Sequence, residues 1–332
     1  MKSGLIAGLT WGLDTVILNL IFLKGPLSAA EAATLALFVS TFLHDLFSSI
    51  WMLIYMGIKK QYKNVIRALK TKSGKFIILG AILGGPIGMS GYVGANFLLG
   101  PAYAAIISSL FPALGALLSY IFLKEKMKPL QLFGLFASIA GVAAIGAFGQ
   151  SSADIEPKKF ALGIVCGLIC CFGWAIEAVI LAYGLKDPNV TDEQALQIRQ
   201  LTSAIFYGVI IFTVISIVKP GDMSIWNLTS KAFLDSTDKT AIIIAASALF
   251  GTASYIFYYK AITQIGAAKA MALNITYNAW VILFSFIVPL ILKDYNMAQP
   301  APLTIVFGIV VIIGSLLASS DIKEYFSKKK DA

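Results

Sequence analysis

Two short segments of this chain carry the same kinds of side chain at the same spacing. Trp11-Gly-Leu-Asp14-Thr-Val-Ile-Leu18 recurs as Trp174-Ala-Ile-Glu177-Ala-Val-Ile-Leu181, with the acid matched by an acid. Indole and carboxyl are three residues apart in each copy, so on a helix they share a face. An indole face attracts a cation by about 0.5 to 2 kcal/mol, more where water is excluded, and a carboxylate beside it supplies counter-charge. Two such half-sites facing one another suit a small quaternary or primary ammonium and repel an anion. The plainer alternative is that the tryptophans anchor packing and the acids bond to helix backbones or hydroxyls.

Further polar and aromatic groups stand where they can complete such a lining. Asn274, Tyr277 and Asn278 fall at i, i+3, i+4, with Ser108, Phe111 and Pro112 at the matching places earlier in the chain; Tyr92, Asn96 and Tyr255 add amphipathic groups. Each of these also serves as interhelical glue. His44 and Asp45 are adjacent, hence about 100° apart on a helix. They make a candidate proton relay, since a histidine changes charge between about pH 5 and 8. Arg199 is expected at the cytoplasmic end of an apolar run, where snorkelling explains it. Pro86 interrupts a run of glycines spaced three or four apart, which permits close packing and a kink that gates a cavity.

No metal cluster, nucleophile elbow or phosphate loop is present, so neither an enzyme nor a cofactor is expected. Cys166, Cys170 and Cys171 lie together in an apolar run, an odd count that argues for small core residues rather than disulfides or metal ligands.

The elements that must hold these groups are set by composition. The 332 residues are 58% hydrophobic and only 13% charged, about half the charge of a soluble domain. Apolar runs of 20 residues exclude an outer-membrane barrel, whose strands alternate. An all-α polytopic membrane protein remains. Ten spans follow, at about 4–23, 32–57, 76–98, 102–123, 131–149, 160–184, 199–218, 240–259, 270–292 and 303–319. The N-terminal run is the first of them rather than a signal peptide, because Trp11 and Asp14 interrupt it and no small-residue cleavage site follows. A net charge of +9 could point to nucleic acid, but seven of the 26 Lys and Arg residues lie between Lys59 and Lys75 and four more follow the last span. With both termini cytoplasmic, 19 of the 26 fall on the inside, as the positive-inside rule requires. The 59–75 segment sets topology, and its Val65, Ile66 and Leu69 also allow it to rest on an anionic leaflet.

The duplicated motif, with looser echoes of Gly88–Tyr92 in Gly251–Tyr255 and of 100–123 in 266–289, divides the chain into a five-span repeat at 1–152, a second at 153–320 and a basic tail at 321–332. Five is odd, so the second copy enters the membrane from the opposite side. Inverted repeats are how many secondary transporters alternate access around a midplane site. A charge at a helix centre costs about 2.5 to 3.5 kcal/mol on insertion scales, so Asp14, His44, Asp45 and Glu177, deep in their spans, call for a functional reason.

Ten spans in two inverted repeats resemble the drug/metabolite transporter (EamA) superfamily over essentially the whole chain. More narrowly, Gly8-Leu-Thr-Trp11-Gly, His44-Asp45, Gly85-Pro86-Ile87-Gly88-Met89 and the stretch from Ser109 to Lys124 are similar to the Lic-type choline permeases of bacteria. That resemblance implies choline uptake through an aromatic cage that includes Trp11. The expected protein is a multi-pass carrier of a small organic cation in the plasma membrane, a monomer or weak dimer with no nucleic-acid partner. Exporters of amino acids or other metabolites, proton-coupled or not, are the alternative.

Overall fold

The computed structural model describes residues 2–29, 32–122, 128–148, 155–185, 187, 189–218, 224–295, 297 and 300–319. The basic tail and four topology-setting lysines, Lys124, Lys126, Lys186 and Lys219, lie outside the described residues. The described residues form helices and no strand. They are α1 (Lys2–Asn19), α2 (Ala33–Ile58), α3 (Tyr62–Leu69), α4 (Lys72–Ile82), α5 (Ser90–Leu99), α6 (Pro101–Ser108), α7 (Phe111–Phe122), α8 (Pro129–Phe148), α9 (Pro157–Gly184), α10 (Asp192–Ile205), α11 (Phe212–Val218), α12 (Ile225–Leu234), α13 (Thr240–Ile265), α14 (Ala267–Asn274), α15 (Tyr277–Ile291) and α16 (Pro302–Ser319).

Among the described residues, eight helical stretches are long and apolar enough to cross a membrane. Helices α8 and α16, at the expected fifth and tenth spans, are two further apolar helices packed on each other. Large apolar side chains such as Ile54, Phe136, Ile169, Val209 and Ile309 point outward, the reverse of a soluble protein, because here the outer solvent is lipid. The chain is an all-α polytopic membrane protein.

Local sequence explains where the helices start and break. Prolines open α6, α8, α9 and α16, where the missing N–H costs nothing. Gly100 and Gly266 precede α6 and α14 at φ +89° and +82°, a region that strains any residue with a side chain. Both helices then stop nine residues beyond the glycine, at Ser109 and Ile275, before α7 and α15 continue. The uninterrupted fourth and ninth spans read from the sequence are thus each two helices. A π-helical turn, Leu83–Met89, joins α4 to α5 around Pro86, and a second, Phe206–Ile211, joins α10 to α11. The two turns meet, since the Tyr207 hydroxyl donates to the Pro86 carbonyl at 3.0 Å.

Helix α10 begins two turns earlier than the run of apolar residues suggests. Thr191 and Gln194 form a reciprocal capping box there, each side chain satisfying the other's backbone N–H. Arg199 consequently sits inside the bundle with no exposed surface, not snorkelling at a helix end. In the first turn of α10, Glu193 is reached at 2.5 Å by Lys59, just past α2, which is thereby held more basic than an ordinary lysine. Within the 59–75 segment, α3 turns Val65 inward against the protein and leaves Ile66 exposed. Cys170 and Cys171 are buried and all three cysteines are free.

The long helices pack in a pattern that exchanges the halves: α1 lies on α13 and α5 on α9, while α2 lies on α13 and α4 on α10. Glycines make these contacts close. A Cβ on Gly91 would meet the α9 backbone at Cys166 and Cys170.

Candidate functional site

A partly open cavity of about 30 Å³ lies between α1, α9, α13 and the breaks in the fourth and ninth spans. Trp11, Trp174, Tyr255, Tyr258 and Phe111 supply its aromatic wall, and Glu177 its only ionisable carboxyl among the lining residues. Trp11 meets Trp174 and Tyr255 edge-on with ring centroids 5.3 Å apart in both cases, and Phe111 meets Trp174 at 5.7 Å. The rings therefore brace one another and present several faces to one space. Asn274 ends α14 at the cavity, and its Oδ1 is buried with no hydrogen-bond partner, as is Trp174 Nε1.

Glu177 does not stand alone. Arg199 Nε donates to Glu177 Oε1 at 3.0 Å, Nη2 donates to the Tyr255 hydroxyl at 2.9 Å and Nη1 to Gln200 Oε1 at 2.8 Å. The guanidinium carbon is 4.5 Å from the Tyr255 ring centroid. It thus holds two members of the cavity wall from behind. Glycines make room for the carboxyl and the indole: a Cβ on Gly84 would overlap the Glu177 carboxyl, and one on Gly88 would come 2.8 Å from Trp174 Cδ1. Sequence inspection marked this stripe as packing and missed what it packs around.

The first half arranges its acid differently. Asp14 turns away from the cavity, receives a hydrogen bond from Ser247 and lies 3.1 Å from His44 Nε2. The other ring nitrogen, His44 Nδ1, lies 3.3 Å from Asp45, which also receives Ser203 and stands 4.0 Å from Arg199 Nη1. The expectation that Asp14 and Glu177 share one cavity is corrected here, because Asp14 is consumed by the histidine and serine beside it. His44 and Asp45, expected to diverge, hydrogen-bond to each other. Three carboxyl groups, one guanidinium and one imidazole are thus buried together in the core.

Of the remaining expected site residues, Tyr92 packs behind the wall, 5.6 Å from Trp11 and 5.0 Å from Trp174, with its hydroxyl 2.7 Å from Thr15 Oγ1. Tyr277 and Asn278 lie off the cavity. The break at Ile275 separates them from Asn274, so the expected helical face does not form; Tyr277 pairs with Ser108 at 2.5 Å and Asn278 donates to the Ile275 carbonyl at 2.8 Å. Pro86 lies in the π turn that carries Gly84 and Gly88 past Glu177 and Trp174.

Beyond the wall, toward the loop after α1, a polar seam joins α1 and α5. Besides the Thr15–Tyr92 contact, Asn19 Nδ2 donates to Asn96 Oδ1 at 2.8 Å and Asn96 Nδ2 to the Thr15 carbonyl at 3.2 Å. The sequence named Tyr92 and Asn96 as amphipathic but gave no sign of their α1 partners.

With this arrangement of helices and acids in view, residues 2–147, somewhat under half of the chain, match the EamA-like transporter family. Among the described residues no group of three or more His, Cys, Asp or Glu is placed to hold a metal ion. The chain is 37% identical over 205 residues to Protein LicB of Haemophilus influenzae, a match covering 61% of this chain and 63% of LicB. It therefore spans under two thirds of the length of that relative. It is also 26% identical over 286 residues to the uncharacterized transporter YyaM of Bacillus subtilis, covering 83% of this chain and 81% of YyaM. A solved crystal structure has a similar fold, with a TM-score of 0.56 at 17% identity, over 99% of this chain and all of that one.

Proposed function

We propose that the chain is a secondary transporter for choline or a similar small organic cation, and that two inverted five-helix repeats alternate access around the aromatic cavity. The observation that carries this reading is the cavity itself, where Trp11, Trp174 and Tyr255 meet edge-on beside the Glu177 carboxyl. The EamA family match and the likeness to LicB support it, as do the glycine-initiated breaks at equal distances in the fourth and ninth spans. Asn274 Oδ1 offers an acceptor to a substrate hydroxyl.

In a plasma membrane the inward movement of one positive charge gains about 2.3 kcal/mol per 100 mV, roughly 50-fold accumulation, so a uniporter driven by membrane potential suffices. Proteoliposomes loaded with a potassium gradient and given labelled choline test it. Saturable, voltage-dependent uptake is expected, with Trp11→Ala and Glu177→Gln each reducing it at least about tenfold. Uptake that is absent, or indifferent to both substitutions, overturns the reading.

A second reading, a proton-coupled exporter of amino acids or other metabolites, is favoured by one observation. His44 lies between two carboxyls with a ring nitrogen toward each, an arrangement able to hold a proton. That reading requires uphill substrate efflux driven by an imposed pH gradient at zero potential, whereas the uniporter then moves substrate only down its own concentration gradient.

A further inference from the structure

We propose that Arg199 sets the selectivity of the cavity, making it favour a fully alkylated ammonium over an ammonium that carries N–H donors. This rests on the cation-binding reading above and names which cations that site takes.

An ammonium with N–H groups gives up strong hydration on entering an apolar cavity and needs acceptors in return; a quaternary ammonium has no donor to satisfy and is held by ring faces and diffuse charge. The strongest acceptor on the cavity wall is the Glu177 carboxyl. Arg199 engages its Oε1 from behind through Nε at 3.0 Å, and the same guanidinium fixes the Tyr255 hydroxyl at 2.9 Å. Arg199 itself is fully buried and is not part of the cavity lining, so it acts through these two side chains as a positioning residue. It also draws on the acceptor strength of the carboxyl that a primary ammonium would use. What the cavity keeps is its aromatic wall and the Asn274 amide oxygen, a combination suited to an alkylated cation with at most one hydroxyl.

The experiment uses the full chain in detergent and the quenching of tryptophan fluorescence by two probes of equal charge, tetramethylammonium and methylammonium. The unmodified protein is expected to bind tetramethylammonium more tightly. Arg199→Gln frees the carboxyl and is expected to shrink that preference by about tenfold or more, through tighter methylammonium binding. Arg199→Lys keeps Glu177 paired and preserves the preference. Glu177→Gln alone leaves an unpaired guanidinium behind the wall and weakens both probes, whereas Glu177→Gln with Arg199→Gln restores tetramethylammonium binding to within about fivefold.

Parallel weakening of both probes in Arg199→Gln, or a preference for methylammonium in the unmodified protein, overturns the inference while leaving cation binding intact. Failure of the unmodified protein to bind either probe overturns the proposed function, and the inference with it. Should Arg199→Gln fail to fold, the double variant decides: a folded double variant that loses tetramethylammonium binding by more than about tenfold, or that gains methylammonium, contradicts the assignment.

Discussion

Thr15 on α1 and Tyr92 on α5 meet at 2.7 Å. At the corresponding positions, 163 residues further on, stand Ala178 and Tyr255, and both line the cavity. Asn19 and Asn96 close the first seam with a second hydrogen bond, while their counterparts are Ala182 and Tyr259, which have no amide to exchange. The same backbone plan is therefore zipped at one end of the molecule and open at the other. The acids repeat the contrast. In each half an acid of the first long helix meets a base of the second, Asp14 with His44 and Glu177 with Arg199. The first pair is withdrawn from the cavity and the second forms its wall. The two segments differ through a few polar substitutions: the first is joined by hydrogen bonds and holds its acid on His44, while the second turns Glu177, Ala178 and Tyr255 toward the cavity, which Trp11 and Phe111 of the first also line.

The sharpest way to break this contrast is to remove the base of the withdrawn pair. His44→Leu leaves Asp14 and Asp45 buried with no cation between them. Breaking a buried pair by removing one partner costs about 3 to 5 kcal/mol, so the expected result is a large fall in the melting temperature of the detergent-solubilised protein, and little change would contradict the pairing. Gly84→Ala is expected to rank next. Its Cβ would overlap the Glu177 carboxyl, and such overpacking costs about 1 to 3 kcal/mol. Cation binding should fall with it, because the wall of the cavity must move. Gly80→Ala is the control, since a Cβ there makes only ordinary contact at 3.4 Å.

Much of this was legible in the residues. Hydropathy and span length gave the helices, and the Trp-x-x-acid repeat gave Trp11, Trp174 and Glu177 as cavity residues, because period and burial are local properties of a helix. Arg199 was misplaced because its span was judged to begin at the first apolar residue; the Thr191-Asp-Glu-Gln194 capping box, written plainly in the sequence, marks the true start. Asp14 was assigned to the cavity by symmetry with Glu177, and its capture by His44 and Ser247 depends on which helices neighbour it, which no spacing along α1 can reveal. The breaks at Ser109 and Ile275 defeat any argument from i, i+3, i+4, and so Tyr277 and Asn278 were placed on a helical face that does not exist.

The smallest effect expected belongs to the zipped seam, and it bears most directly on the contrast between the two ends. Asn19 and Asn96 are both buried, and Asn19→Ala removes their mutual hydrogen bond while leaving Asn96 Nδ2 on the Thr15 carbonyl. Losing one buried hydrogen bond costs about 1 to 3 kcal/mol when a partner is left unsatisfied. If that bond exists only while the seam is shut, the cost falls on the closed state alone and moves the balance toward opening by the same amount. A cysteine placed at Leu18, buried beside the seam, then reports the shift: its labelling by a membrane-impermeant thiol reagent should rise about fivefold or more in Asn19→Ala. Equal labelling with and without Asn19 would mean that the seam is permanent packing rather than a closure. The two ends of the molecule would then differ in how they are built but not in whether they move.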